Sequence, residues 1–200
     1  MYASLDEFKT WIDITDETDD HHLEPILNAA ARWIDQHTGR HFTLENEATK
    51  LFYPNAQGVL DVVDLVSITT LKSDSTGDRT YATTIPATQY ELLPYRDAQG
   101  KPSVRYDQIR IWPTSSTTFG PGRLVQIVGD FGYVIDGLPP DEVRLANLML
   151  ASRWWKRHEM PMTRLVIPDM GSMEAVGKDD PDVNMLLSQY ARTGASWVLV

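Results

Sequence analysis

The feature that most constrains the fold is an amphipathic helix near the start of the chain that has no partner in its own segment. Residues 23–37 repeat apolar side chains at helical spacing, and Gly39 follows as a left-handed helix stop. Asp19 or Asp20 can cap the N-terminus of this helix. Because an amphipathic helix is stable only when its apolar stripe is buried, partners must come from elsewhere in the chain.

Three further segments are predicted to be helical. Residues 4–12 begin with Ser4 and carry Glu7 three positions later, the signature of a capping box. Residues 139–158 begin with prolines and acids and end with cations, which matches the helix dipole at both ends. Their apolar side chains cover more than one side, so this helix is expected to be buried on more than one face. A last helix opens at residues 180–182.

The middle of the chain has a different pattern, with short apolar or alternating runs separated by turn signals. Six strands are predicted there, at residues 48–53, 59–63, 67–73, 90–93, 108–112 and 124–129. The segment 115–122 is polar and rich in glycine, so it is interpreted as a projecting loop.

These segments predict an α+β fold, in which a helical bundle is built from both chain ends around an inserted β-rich region, with an extended C-terminal arm. The N-terminal helices of the bundle are expected within 1–41, and the β-rich insertion within 42–138. The C-terminal helices are expected within 139–192, interrupted by an irregular arm at 160–178. Residues 193–200 form an apolar tail.

The charge is unevenly distributed. The net charge is −10, and residues 1–24 contain eight acids against one base. A cluster of the opposite sign occurs late in the chain, at Arg153, Lys156, Arg157, His158 and Arg164. An acidic protein is poorly suited to gripping DNA, because that affinity comes mainly from cations. The two clusters are either solvated helix ends or complementary faces of neighbouring subunits in an oligomer.

Enzyme signatures fail one by one. His158 could start a zinc-binding helix motif, but Met162 stands where the second histidine is needed. Residues 130–132 read Asp-Phe-Gly without the other kinase motifs, and no phosphate-binding loop or nucleophile elbow is present. His21 and His22 point about 100° apart on a helix and chelate poorly. No catalytic residue, metal or cofactor is therefore expected.

The composition also limits the surroundings of the protein. The chain has no cysteine, so it has neither a disulfide scaffold nor a thiolate metal site, which fits a reducing compartment. Its first residues lack the basic and apolar regions of a signal peptide. No run approaches the roughly 18 to 20 apolar residues that span a bilayer, so no membrane partner is expected.

The tryptophans divide into two groups. Trp154 and Trp155, together with Trp33, fit either the bundle core or a subunit interface. Trp197 lies in a terminal segment that is too short to fold alone. Because chain ends fray unless they are docked, this segment is expected to bind a partner surface, either a strand edge or a groove.

The beginning of the chain resembles the N-terminus of tailed-phage head–tail connector (adaptor) proteins. The resemblance is carried by Tyr2, the helices at 4–12 and 23–37, and the corner Thr38-Gly39-Arg40-His41-Phe42. The helices at 139–155 and 186–192 follow in the order typical of the family. In the corner, Gly39 matches the turn, and Arg40 is expected to pair with an acid.

The resemblance implies a structural virion protein without catalysis, made in the host cytoplasm and located in the neck, at the head–tail junction. Its copies, commonly twelve, would form a homo-oligomeric ring beneath the portal protein. The ring would hold a tail-side stopper or tail tube protein, and DNA would pass through its lumen without specific binding. Two alternatives stay open: another head-completion or tail-completion protein, such as a stopper or terminator, and an enzyme with a scattered site.

The resemblance also implies three sets of functional residues. The portal-binding set is Trp197, Val198, Leu199 and Val200. The subunit-interface set is Trp33, Arg40, Arg153, Trp155, Lys156 and Arg157. The tail-side loop set is Ser115, Ser116, Thr117 and Phe119.

Overall fold

The computed structural model describes residues 1–55, 58–95, 105–112, 119, 123–159 and 180–192. The chain divides into two compact units. One unit combines residues 1–42 with 138–193, and the other combines 43–137 with 194–200. The predicted arm at 160–178 and the tail at 193–200 lie outside the described residues, as do Ser115, Ser116 and Thr117.

The first unit is helical. Its helices are α1 (Leu5–Trp11), α2 (Asp20–Thr38), α3 (Asp141–Glu159) and α4 (Pro181–Leu187), and a 3₁₀ turn at Ser188–Tyr190 follows α4. The predicted capping box is present in α1, where Ser4 and Glu7 exchange hydrogen bonds. At the start of α2, Asp19 holds the capping position without a side-chain cap. Gly39 ends α2 at a φ of 66°, the left-handed conformation that glycine adopts without strain.

The core of the helical unit joins residues that are far apart in the sequence. Its buried apolar side chains come from the N-terminus, α1, α2 and α3: Ala3, Phe8, Leu23, Leu27, Ala30, Leu148, Leu150, Ala151 and Trp155. Burying one large apolar side chain contributes about 1.5–3 kcal/mol. Val183 and Leu187 of α4 are also fully buried. This apolar cluster therefore combines side chains of α1 and α2 with side chains of α3.

One buried polar side chain links three segments of this core. Asn147 of α3 is 0% exposed. Its Oδ1 accepts hydrogen bonds from the backbone N–H groups of Tyr2 and Ala3, both at 3.2 Å. Its Nδ2 donates to the carbonyl oxygen of Leu27 in α2 at 3.1 Å. Asn147 thus pairs two buried backbone N–H groups of the N-terminus and binds a carbonyl oxygen of α2.

In the second unit, the residues that the structure describes form an antiparallel sheet of six strands. The strands are β1 (Glu45–Phe52), β2 (Val59–Ser73), β3 (Thr83–Thr84), β4 (Tyr90–Leu93), β5 (Tyr106–Ile111) and β6 (Val125–Phe131). They are ordered β1-β6-β2-β5-β4, and β3 pairs with the end of β2. The mixed α+β class predicted from the sequence is confirmed.

The long strand β2 organises the sheet. The sequence predicts two strands at 59–63 and 67–73, whereas the structure has one. Asp64 lies between the two halves with a φ of 42°, and the register with β5 shifts between Asp61 and Leu65. The first half of β2 pairs with β5 and the second half with β6. The irregularity therefore lets one strand change partners along its length.

The sheet buries one apolar cluster, which includes Leu60, Leu71, Ile109, Ile127 and Phe131. At Gly129 of β6 the backbone of β2 approaches closely. A Cβ at this position would lie 2.1 Å from the carbonyl oxygen of Ser67, so only glycine fits. Among the described residues, no helix is long and apolar enough to cross a membrane.

Candidate assembly interface

The corner that ends α2 is held by local hydrogen bonds. Thr38 Oγ1 donates to the carbonyl oxygen of Ile34 at 2.8 Å, and it accepts the backbone N–H of Arg40 at 3.3 Å. The N–H of Gly39 donates to the carbonyl oxygen of Asp35 at 2.8 Å. These bonds satisfy groups that a helix end leaves unpaired. Thr38 and Gly39 therefore fix the direction in which the chain leaves the helix.

Tyr2 ties the N-terminus to this corner. Its hydroxyl donates to the carboxylate of Asp35 and accepts the backbone N–H of Phe42 at 3.2 Å. The rings of Tyr2 and Phe42 meet edge to face, with centroids 5.6 Å apart. Both residues are buried, so the hydrogen bonds are shielded from water. His41 Nδ1 lies 3.3 Å from the other carboxylate oxygen of Asp35.

The last turn of the described chain closes the corner from the other side. The ring of Tyr190 meets Phe42 edge to face at 5.6 Å, and its hydroxyl donates to Glu142 of α3 at 2.8 Å. Arg40 Nε donates to the carbonyl oxygen of Tyr190 at 2.7 Å. The backbone N–H of Arg192 donates to the carbonyl oxygen of Thr38 at 3.0 Å. The corner at residues 38–42 thus contacts both Tyr2, near the N-terminus, and Tyr190 and Arg192, at the end of the described chain.

Arg153 joins α3 to α4 within the subunit. Its guanidinium forms an ion pair with Asp180, and its Nη2 lies 3.7 Å from Asp182. Asp180 is only 6% exposed, and it also caps α4 by accepting the N–H groups of Asp182 and Val183. The guanidinium of Arg153 therefore holds the start of α4 by ion pairs, and about a third of the Arg153 side chain stays exposed.

The two tryptophans assigned to an interface differ in burial. Trp155 is 5% exposed and belongs to the helical core, where its ring stacks with His158 at 5.2 Å. Trp33 is partly buried against the same core and stacks with His37 at 4.7 Å. Trp33 thus keeps part of its surface exposed, whereas Trp155 is buried in the helical core.

The end of α3 is cationic and open. Lys156 and Arg157 are exposed, and neither forms an ion pair with another described residue. His158 is also exposed, with its ring 5.2 Å from that of His22 at the start of α2. Among the residues that the structure describes, no group of histidines and acids could hold a metal ion.

Of the tail-side loop set, Phe119 is described. It is 5% exposed and packs in the apolar cluster of the sheet. The portal-binding set, Trp197, Val198, Leu199 and Val200, lies outside the described residues and stays a prediction.

Hydrogen bonds shift the pKa values of three groups in the direction that favours their charged forms. The N–H of Glu47 and the hydroxyl of Ser67 donate to the carboxylate of Asp130 at 3.0 and 2.8 Å, which lowers the pKa of Asp130. The backbone N–H of Thr18 likewise lowers the pKa of Asp16. Lys9 lies 2.8 Å from Asp20, and this contact raises the pKa of Lys9.

Asn147, with its links to Tyr2, Ala3 and Leu27, was missed by sequence reasoning. Its only signal is a polar residue on the apolar side of a helix. Such a residue predicts a buried hydrogen bond but does not identify the partner.

Comparison with known proteins finds one family model that matches part of the chain and several solved chains of similar fold. The family described as phage gp6-like head-tail connector protein matches residues 2–96. A chain from the neck of an empty gene transfer agent (GTA) particle, computed with C6 symmetry, has a TM-score of 0.62 at 15% identity, covering 100% of this chain and 94% of that chain.

Two further solved chains are similar. One comes from the virion of a native GTA particle, with a TM-score of 0.59 at 18% identity, covering 98% of this chain and 92% of that chain. The other comes from the neck of a native GTA particle computed with C12 symmetry, with a TM-score of 0.53 at 15% identity, covering 92% and 91%. At these identities the likeness concerns the fold. A search of curated protein sequences found no match.

Proposed function

We propose that this chain, whose residues 2–96 match the family described as phage gp6-like head-tail connector protein, is a structural subunit of the virion neck. Copies of the chain form a ring between the portal and the next tail-side ring. The ring anchors the tail and lets DNA pass, and it catalyses no reaction.

The family match carries this proposal. It begins at Tyr2 and includes the corner at Thr38–Phe42, the junction that Tyr2 and Tyr190 hold in place. The fold likeness to chains of GTA necks supports it further, because it extends over nearly the whole chain. Those necks were computed with C6 and C12 symmetry, which agrees with a ring of identical copies, here proposed to be twelve.

The bundle of helices from both chain ends is proposed as the body of the ring. The partly buried Trp33 and the exposed Lys156 and Arg157 would contact a neighbouring copy. Arg153 and Trp155 would support that surface from within the subunit, since one holds α4 and the other fills the core.

Arg40 is proposed to support the same surface indirectly. Its hydrogen bond to Tyr190 holds the corner against the last turn, so the corner keeps one orientation from copy to copy. A ring needs this uniformity, because each joint repeats the geometry of the previous one.

The charge of the chain fits a passage for DNA. With a net charge of −10, the subunit repels phosphates, so DNA moves through the lumen without sticking. The acids at residues 1–24 contribute most of this excess.

The first experiment tests contact with the portal. Trp197–Val200 are replaced by Gly-Ser-Gly-Ser, and binding to the purified portal protein of the same phage is measured by pull-down and mass photometry. We expect a folded protein that no longer binds the portal. A matched control replaces Ser115, Ser116 and Thr117 by glycine, which should spare portal binding and weaken binding to tail components. If the variant at Trp197–Val200 binds the portal as well as wild type does, these four residues are not the portal-binding set.

The second experiment tests the position in the neck. The chain is mixed separately with portal and with tail components, and the products are imaged by negative-stain electron microscopy. Rings seated on the portal support the connector role. Rings that form only on tail components would favour the stopper or terminator alternative.

A further inference from the structure

The outward face of α3 carries a short apolar stripe that ends in a cation. Leu145, Met149, Ser152 and Lys156 follow one another at helical spacing, so they share one side of the helix. Leu145 is 37% exposed, and Met149 is partly exposed. The hydroxyl of Ser152 donates to the carbonyl oxygen of Met149 at 2.9 Å, so the stripe contains no unpaired hydroxyl. We call these four residues the α3 stripe.

Both edges of the α3 stripe are occupied by the subunit's own helices. On one side, Arg144 forms an ion pair with Glu7 of α1 at 3.1 Å. On the other side, Arg153 pairs with Asp180 at the start of α4. Among the described residues, the side of α3 between these two ion pairs is the side left open to solvent. The α3 stripe therefore lies between the Arg144–Glu7 and Arg153–Asp180 ion pairs.

A surface of matching chemistry lies at the end of α1. Trp11 is the last residue of that helix and is 49% exposed. Asp13, Asp16 and Glu17 follow it, and all three are exposed. None of them forms an ion pair with another described residue. We call Trp11 and these three acids the α1 knob. It combines a large apolar ring with negative charge, whereas the α3 stripe combines apolar side chains with positive charge.

We propose that the α1 knob of one copy docks on the α3 stripe of the next copy and joins neighbouring subunits. This inference rests on the proposed ring. The indole of Trp11 lies against Leu145 and Met149, a pairing favoured by aromatic bulk and by contact with sulfur. The acids of the knob face Lys156 and the adjacent Arg157, which orients the approach.

The geometry makes this contact heterologous. The knob and the stripe are different patches of one subunit, so each copy offers one to each neighbour. Such contacts repeat head to tail and close into a ring when the rotation allows it. The charge complementarity selects a second copy of this chain as the occupant of the stripe.

Charge exchange tests the contact. Lys156→Glu with Arg157→Glu makes the stripe negative, and Asp16→Lys with Glu17→Lys makes the knob positive. Self-association is measured by sedimentation velocity and mass photometry over a wide concentration range at low salt. We expect each double variant alone to associate roughly tenfold more weakly than wild type. An equal mixture of the two should associate nearly as well as wild type, since both joints then pair opposite charges.

The quadruple variant, which carries all four reversals, should also self-associate, and this rescue excludes misfolding as the cause of the loss. A matched control reverses two exposed charges on α2, Glu24→Lys and Arg32→Glu, and should leave association unchanged. Trp11→Ala should weaken association at high salt as well as at low salt, because an apolar contact is not screened.

The failures are distinguishable. If wild type forms rings and both charge variants form them equally well, the knob-and-stripe contact is wrong while the ring stands. If wild type stays monomeric at every concentration and on the portal, the ring and the contact are both overturned.

Discussion

The helical unit and the β unit achieve their stability in different ways. The helical unit joins residues 1–42 to residues 138–193, and its links cross large sequence distances, as in the bonds of Asn147 to Tyr2 and Ala3. The sheet lies within residues 43–137 and is held by strand register, including the close approach at Gly129. In the helical unit, hydrogen bonds of a buried polar side chain join segments that are distant in the sequence. In the sheet, the short distance between neighbouring strand backbones restricts which residue fits.

The largest effect is expected at the tightest backbone approach of the sheet. Gly129→Ala would put a Cβ 2.1 Å from the carbonyl oxygen of Ser67, so β2 and β6 must separate. We expect a loss of about 3 kcal/mol or more in the free energy of unfolding, measured by urea denaturation.

The matched control for this prediction is Gly77→Ala. Gly77 has a φ of 83° but nothing within 4 Å, so only the cost of backbone conformation applies, about 1–2 kcal/mol. If the two variants lose equal stability, the close approach at Gly129 is not what holds the sheet.

The next effect is expected at the buried amide of the helical unit. Asn147→Leu keeps the volume but removes the acceptor of the Tyr2 and Ala3 N–H groups and the side-chain donor to the carbonyl of Leu27, which keeps its hydrogen bond within α2. We expect a loss of about 2–4 kcal/mol in the free energy of unfolding, because unpaired buried polar groups keep their full desolvation cost.

Gln36→Leu is the control for this substitution, since Gln36 is exposed on α2 and its replacement should change stability by less than about 0.5 kcal/mol. Hydrogen exchange of the Tyr2 and Ala3 amides would add a local readout. Equal protection of these amides in Asn147→Leu and wild type would contradict the role assigned to Asn147.

A smaller effect is expected at the corner. Tyr2→Phe keeps the ring against Phe42 but removes the hydroxyl that bonds to Asp35 and to the N–H of Phe42. We expect a loss of about 1–2 kcal/mol by thermal or urea unfolding. The control is Tyr53→Phe, at a tyrosine that is 51% exposed, where little change is expected. If Tyr2→Phe is as stable as Tyr53→Phe, the hydroxyl of Tyr2 does not stabilise the corner.

The smallest effect concerns pH and one carboxylate of the sheet. The pKa of Asp130 in the folded protein lies below its ordinary value, so the folded state stabilises the carboxylate form of Asp130 relative to the acid form. Its contribution is present above the ordinary aspartate pKa, near 4, and is lost as the pH falls through the folded pKa.

The stability difference between wild type and Asp130→Asn should therefore be constant from pH 7 to about pH 5 and should shrink at lower pH. Urea denaturation at pH 7, 5, 4 and 3 measures it. A difference for Asp130→Asn that grows toward acid pH would reverse the assigned sign.

Local patterns predicted the regular elements well where one rule dominated. The helix predicted at 23–37 is observed as α2 at Asp20–Thr38, and the strand predicted at 90–93 is observed as β4. The two-residue strand β3 was missed, because Thr83 and Thr84 are too few to form a period. The division predicted within β2 was wrong, since a bulge at Asp64 interrupts the alternation without ending the strand.

The candidate site was predictable in part. Gly39 and the corner are visible in the sequence, because a helix end needs a left-handed residue. The partner of Arg40 was expected to be an acid, and the structure gives its Nε the carbonyl oxygen of Tyr190. A backbone carbonyl carries no sequence signal, so this contact could not be predicted.

The sequence by itself determined the α+β class, the amphipathic helices, the β-rich middle and the uneven charge, because each depends on residues that are close along the chain. Only the tertiary structure decided that Asn147 closes the N-terminus onto α2 and that Trp155 is core. It also decided which side of α3 stays open between Arg144 and Arg153. Such contacts join residues separated by long stretches of chain, and packing selects them from many partners of equal local propensity.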